Sequence, residues 1–163
     1  MKRWVWLMAV AAILSGCGVE ETFETIQDEP VVAAMASPGE ITVQLPPGTA
    51  APALETEDRQ IYVGETYEIA VETLEGGDLD ATLRTLTGYP RDELTMLETQ
   101  WENVTRYEFV WAAAGEEGDR LGRGVVLDDG AYHYCLSLVR DAAVPSDTAA
   151  WNDLFGSFSL RTG

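Results

Sequence analysis

The sequence predicts an α+β domain in which an antiparallel β-sheet carries flanking helices. Apolar and polar residues alternate in several separated stretches, the signature of half-buried strands, while two other stretches place apolar residues at helical spacing behind a capping aspartate. Turn-forming Asp, Gly and Asn pairs join neighbouring strands, which favours hairpins and an antiparallel meander.

The first strand is read over Ile41, Val43 and Leu45, with Thr42 and Gln44 on the other face, and Pro46-Pro47-Gly48 ends it. Ile61 and Val63 lead to Gly64-Glu65, after which Tyr67, Ile69 and Val71 resume a period of two against Glu68, Ala70 and Glu72. A hairpin and a bulged strand fit this pattern equally well. Asp78 or Asp80 caps a helix whose Leu79, Leu83 and Leu86 share one side, Gly88 stops it, and it should lie across the sheet. Leu97 to Trp101 and then Tyr107, Phe109 and Trp111 form two more strands around an Glu102-Asn103 turn. Gly115 to Asp119 is turn chemistry, and the strand through Val125, Val126 and Leu127 meets Asp129-Gly130, a pair suited to a type I′ turn. The returning strand is Ala131 to Arg140. Asp147 then caps a short helix carrying Ala150, Trp151, Leu154 and Phe155, with Gly156 as its stop and Ser157 to Leu160 as a closing strand.

Ahead of this domain stands a leader. Lys2 and Arg3 precede an apolar run from Trp4 to Leu14, shorter than the roughly 20 residues a spanning helix needs and of the length of a signal-peptide h-region. The run ends Leu14-Ser15-Gly16-Cys17, which resembles the lipobox of bacterial lipoproteins. That resemblance implies cleavage after Gly16 and a diacylglycerol on the Cys17 sulfur, and two or more acyl chains hold a protein on a bilayer where one is marginal. The implied place is the extracytoplasmic face of the cell membrane, with Cys17 as lipidation site. An ordinary secretory leader would instead leave the chain free. The domain organisation expected is a signal peptide over 1–16, an acidic tether over 17–39 broken by Pro30 and Pro38, and a single α+β domain over 40–163.

Charge narrows the function. The chain has 10 Lys+Arg against 28 Asp+Glu, so loss of Lys2 and Arg3 with the leader leaves 8 basic side chains and a net charge of −20. Such a surface repels nucleic-acid phosphates and anionic headgroups and attracts cations and basic partners. Nucleic acid is therefore excluded as a partner. Lys2 is the only lysine, so the mature chain has no lysine nucleophile, Schiff base or P-loop.

The order of elements, with the stretches YEFVWAAAGEEGDRLGRGVVLDDGAYHYCLSL and WNDLFGSFSL, resembles the PsbP-like fold of uncharacterised bacterial lipoproteins over the last two thirds of the chain. The resemblance implies an antiparallel sheet flanked by helices and a non-enzymatic, membrane-associated accessory role. It carries no catalytic motif and no residue role.

His133, the only histidine, and Cys135 share one face of a strand, where neighbours point in parallel; packed sheet explains them better than a Cys-His nucleophile. With Cys17 lipidated, Cys135 is the sole remaining thiol, so an internal disulfide is excluded and burial or an intermolecular disulfide remain. Two ligands fall short of a zinc site. Carboxylates gather at Asp78 and Asp80, at Glu116, Glu117 and Asp119, and at Asp128 and Asp129, without EF-hand spacing; helix caps and turns account for them, and calcium is the alternative. Asn103-Val104-Thr105 reads as a glycosylation acceptor or simply as a turn, and Ser157 lacks a nucleophile-elbow setting. Trp101, Trp111 and Trp151 are read as core, and Tyr132 or Tyr134 beside His133 would mark a binding surface if the sheet face opposite the helices is open. No cofactor is implied. The function expected is a lipid-anchored extracytoplasmic binding or accessory module with a protein partner, not an enzyme; a divalent-cation or small-ligand binder comes second and an envelope hydrolase last.

Overall fold

The computed structural model describes residues 37–115, 118–145 and 147–161. The leader, Cys17, the tether as far as residue 36 and the turn residues Glu116 and Glu117 lie outside the described residues. In chain order the elements are β1 (Glu40–Thr42), β2 (Leu54–Glu55), β3 (Arg59–Val63), β4 (Tyr67–Glu75), α1 (Leu79–Thr87), β5 (Thr95–Trp101), β6 (Val104–Gly115), β7 (Gly118–Asp128), β8 (Tyr132–Asp141), α2 (Thr148–Ser157) and β9 (Ser159–Arg161). Strands β2-β3-β4-β8-β7-β6-β5 form one sheet in that order, every pairing antiparallel, and β1 pairs with β9 in a second, two-stranded sheet. The α+β architecture with an antiparallel sheet and two flanking helices is as the sequence predicts.

One connection leaves the meander. Between β4 and β5 lie β8, β7 and β6, four strand spacings or about 19 Å. The nine residues of α1 cover about 14 Å of it, and a 3-10 turn at Arg91–Glu93 completes the crossing. Local chemistry fixes the ends of α1: Asp78 accepts from the N–H groups of Asp80 and Ala81, and Gly88 at φ 81° takes the left-handed conformation that closes the helix. Of the two capping candidates, Asp78 is the cap, and Asp80 pairs with Arg84 one turn on.

Several boundaries differ from expectation. The 41–45 alternation is strand only to Thr42, because β9 offers three partners and Gln44 N–H then turns to the Ser157 hydroxyl; Ile41, Val43 and Leu45 nevertheless all pack on the core. Between the hairpin and bulge readings of 59–75, the hairpin is correct, with Tyr62 opposite Ile69. The β7–β8 connection is not a type I′ turn, which needs two positive φ values: only Gly130 (φ 88°) has one, and the Asp129 carboxylate accepts from the N–H groups of Ala131 and Tyr132. Gly156 does not stop α2, which runs on to Ser157 because its terminal carbonyls have partners: Arg106 donates to the carbonyls of Phe155 and Phe158.

The helices lie on opposite faces of the sheet. Leu83 of α1 packs with Phe109, Trp111, Val126 and Cys135; Leu154 and Phe155 of α2 pack with Ile69, Val71, Val125, Leu136 and Leu138. Strand β8 sits between them and is buried continuously from His133 to Leu138. On the α1 face, β7 carries Gly122 opposite Trp111 and Gly124 opposite Phe109. Both rings, 5.8 Å apart, lie down over these glycines. A Cβ on Gly122 would fall within the Trp111 indole, and one on Gly124 would stand 2.5 Å from the Phe109 ring.

Gly122→Ala should therefore destabilise the fold by about 1–3 kcal/mol, the range for overpacking, seen as a lower thermal midpoint. An unchanged midpoint would mean that the indole is free to lift.

Candidate functional site

Three places gather chemically active side chains. The first is the His133 region. His133 Nδ1 lies 2.7 Å from the Thr82 hydroxyl of α1, and its Nε2 lies 3.6 Å from a carboxylate oxygen of Asp128. A hydroxyl, an imidazole and a carboxylate thus stand in a row. Thr82 is 6% exposed and His133 1%, however, which leaves no room for a reacting atom within the 3–3.5 Å that attack requires. The contact ties α1 to the sheet. Cys135 is fully buried on the same face, as its apolar strand predicts, and burial pushes its thiol far above the ordinary range, away from the reactive thiolate. Tyr134 points to the opposite face and is fully buried, so the condition for a binding surface of Tyr134 beside His133, an open face, is not met: α1 and α2 cover both sides of β8. Its hydroxyl accepts from Gly39 N–H and donates to Asp129, and burial beside that carboxylate pushes it up to about 12.

The acidic turns are the second place. Asp78 caps α1, Asp80 pairs with Arg84 and accepts from Arg91 N–H, Asp128 accepts from Gly130 N–H, and Asp129 holds the β7–β8 turn. These carboxylates point at backbone N–H groups, at Arg84 and at His133 rather than at one another. Among the described residues no group of three or more His, Cys, Asp or Glu could hold a metal ion.

Sequence reasoning gave no warning of Glu72. It is 8% exposed on the α1 face, 3.3 Å from Arg59 of the neighbouring strand. Burial raises its pKa, Arg59 opposes the shift, and Asp58 and Glu68 reinforce it.

The third place is open. On the α2 face β5 presents Thr95, Leu97, Thr99 and Trp101, opposite Val110, Glu108, Arg106 and Val104 of β6. The short α2 covers β8 and β7 and its end reaches Arg106 and Val104 of β6, which leaves β5 and the Val110 end of β6 open. Leu97 is 61% exposed, Val110 54%, Leu121 39% and Trp101 79%, so Trp101 is not core. Trp111 is, and Trp151 packs edge-on against Tyr67 at 5.1 Å. A groove of about 570 Å³ continues this surface toward α2, walled by Val110, Leu121, Leu138 and Trp151 with Arg123 and Arg140 among them. Arg123 stacks 4.3 Å over Phe155 and reaches Glu108 and Asn152. Glu108 is shared by Arg106 and Arg123; burial pushes its pKa up, but the two guanidiniums prevail and hold it below the usual range. A second groove of about 560 Å³ lies at the other end of the sheet, near Gly39 and Arg59, and carries Glu57, Asp58 and Glu75.

No protein-family model matches the chain, and no curated protein matches it. A crystal structure from Bacteroides thetaiotaomicron VPI-5482 is similar, with a TM-score of 0.50 and 9% identity over 75% of this chain. The likeness covers 45% of that chain, so the domain spans less than half of its length. At that identity it bears on fold alone, an α+β relationship at a distance. Among the described residues no helix is long and apolar enough to cross a membrane.

Thr82→Val leaves His133 Nδ1 buried without its partner and should cost about 1–3 kcal/mol, read from a denaturant midpoint. Glu72→Gln carries a sign. A carboxyl with a raised folded pKa contributes stability at acid pH that is lost as pH rises from its unfolded value through the folded one. The variant should therefore gain more over wild type at pH 7 than at pH 4; equal differences at both would place the Glu72 charge in water.

Proposed function

We propose that the chain is a lipid-anchored, extracytoplasmic binding or accessory module of PsbP-like architecture, held to the membrane through Cys17 and engaging a protein partner with the uncovered half of its α2-side sheet face. The observation that carries the reading is the exposed row of Leu97, Val110, Leu121 and Trp101. A row of large apolar side chains on one side of one sheet is what an interaction surface exposes and a monomer otherwise covers. Its extent argues for a macromolecule: two strand spacings from β7 to β5 give about 10 Å, and the six steps along β5 from Thr95 to Trp101 give about 20 Å. The burial of Thr82, His133 and Cys135 supports a non-catalytic role. The anchor rests on the Leu14-Ser15-Gly16-Cys17 sequence and the apolar leader before it.

The test uses the full chain in its own cells with a photo-crosslinking residue at Leu97, or at Glu75 on β4 as control. A discrete adduct should form from position 97 and not from 75, and Cys17→Ser should move the protein out of the membrane fraction. No adduct from 97, or equal adducts from both positions, would end the docking reading; retention of the Cys17→Ser chain on membranes would end the anchoring one.

A further inference from the structure

Arginine is scarce in this chain, and its placement is uneven. Among the described residues Arg59, Arg84, Arg91 and Arg161 each pair with a carboxylate of their own and Arg120, on the α1 face, with none, whereas Arg106 and Arg123 share the single Glu108 and Arg140 has no carboxylate partner. Those last three stand on the same face of adjacent strands. The register sets Val110, Arg123 and Leu138 in one row and Ala112, Leu121 and Arg140 in the next, so cationic and apolar side chains alternate along the groove. Arg140 uses Nη1 on the carbonyls of Asp141 and Val144, which aims the guanidinium while leaving Nε and Nη2 without a described partner. Glu93 is the one carboxylate in the groove wall. In a chain of net charge −18 this surface has an excess of positive side chains. At physiological ionic strength, charges beyond about 8 Å are largely screened, so an occupant responds to these arginines more than to the distant acids.

Resting on the reading of this face as a docking surface, we infer that its occupant is a partner-protein segment carrying a carboxylate flanked by apolar side chains, the carboxylate seated on Arg140 beside Arg123. Arginine donates two parallel N–H groups to a carboxylate and fixes its orientation, while Val110, Leu121 and Leu138 receive the apolar neighbours. A second copy docking face to face is a poor occupant because it would set Arg123 and Arg140 against the same two arginines. A free carboxylic acid would fill the groove and leave Leu97 and Trp101 uncovered.

The experiment titrates the full chain in neutral detergent with a capped nonapeptide in which Leu and Val flank one central Glu, with its Gln and Lys counterparts, and with hexanoate. The Glu peptide should bind at least tenfold more tightly than the Gln peptide, and the Lys peptide more weakly still. Arg140→Gln and Leu121→Glu should each weaken it tenfold or more, Arg140→Lys less, and Arg120→Gln, away from the groove, not at all; circular dichroism establishes that each variant is folded. Equal affinity for the three peptides, no binding, or indifference to both groove variants would overturn the inference, and hexanoate binding as tightly as the peptide would replace the protein segment by a small acid. A Leu97 adduct that persists undiminished in Arg140→Gln would also overturn it while leaving the docking surface intact, whereas loss of that adduct in the wild type would remove both.

Discussion

Everything else in this fold follows from the double burial of β8. Its residues from His133 to Leu138 are all buried, so apolar cover is needed on both faces at once, and the two helices cannot share a side. The β4–β5 crossing lays α1 over Cys135 and Val126, and the return after β8 lays α2 over Leu136 and Leu138. Neither helix is long: ten residues of α2 reach about 15 Å, roughly three strand spacings, which is enough for the middle of a seven-stranded sheet and not for its β5 edge. The uncovered surface is thus the geometric remainder of covering the centre twice.

Scarce positive charge is used as ties between elements. Arg106 reaches from β6 to the carbonyls at the end of α2, taking the place of a terminal glycine, and Glu108 holds it there while also engaging Arg123, which lies over Phe155. The end of α2, the face of β6 and the middle of β7 are joined by three side chains. On the other face a hydroxyl–imidazole contact, Thr82 with His133, does the corresponding work for α1.

Much of this was legible. Strands β3, β4 and β6 showed themselves by period two, β5 and β7 by the turns that follow them, and both helix starts by an aspartate whose carboxylate accepts the first free N–H groups. In β8 the same period showed, Tyr132, Tyr134, Leu136 and Leu138 alternating with His133, Cys135 and Ser137, and it gave no sign that the second, more polar side is buried as well. Alternation also misplaced Glu72 in water, since the pattern carries no information on the Arg59 that lies across the next strand. Trp101 reads like Trp111, but the register sets Trp111 on the face that α1 covers and Trp101 on the other, beyond the reach of α2. The groove was invisible because its walls come from β6, β7, β8 and α2, far apart in the chain. The available signal was arginine at the two positions, 123 and 140, where otherwise apolar strands break their pattern.

The β1–β9 pair looks peripheral, yet it fixes how force would enter the domain. The chain arrives at Gly39, whose N–H donates to the Tyr134 hydroxyl, and Tyr134 belongs to the central strand and bonds onward to Asp129. A pull on the preceding segment would thus be handed to the middle of the sheet before β1 is peeled from β9. A domain moored at this end would feel tension first at the single hydrogen bond that ties its entry point to the most buried strand, ahead of its smallest sheet.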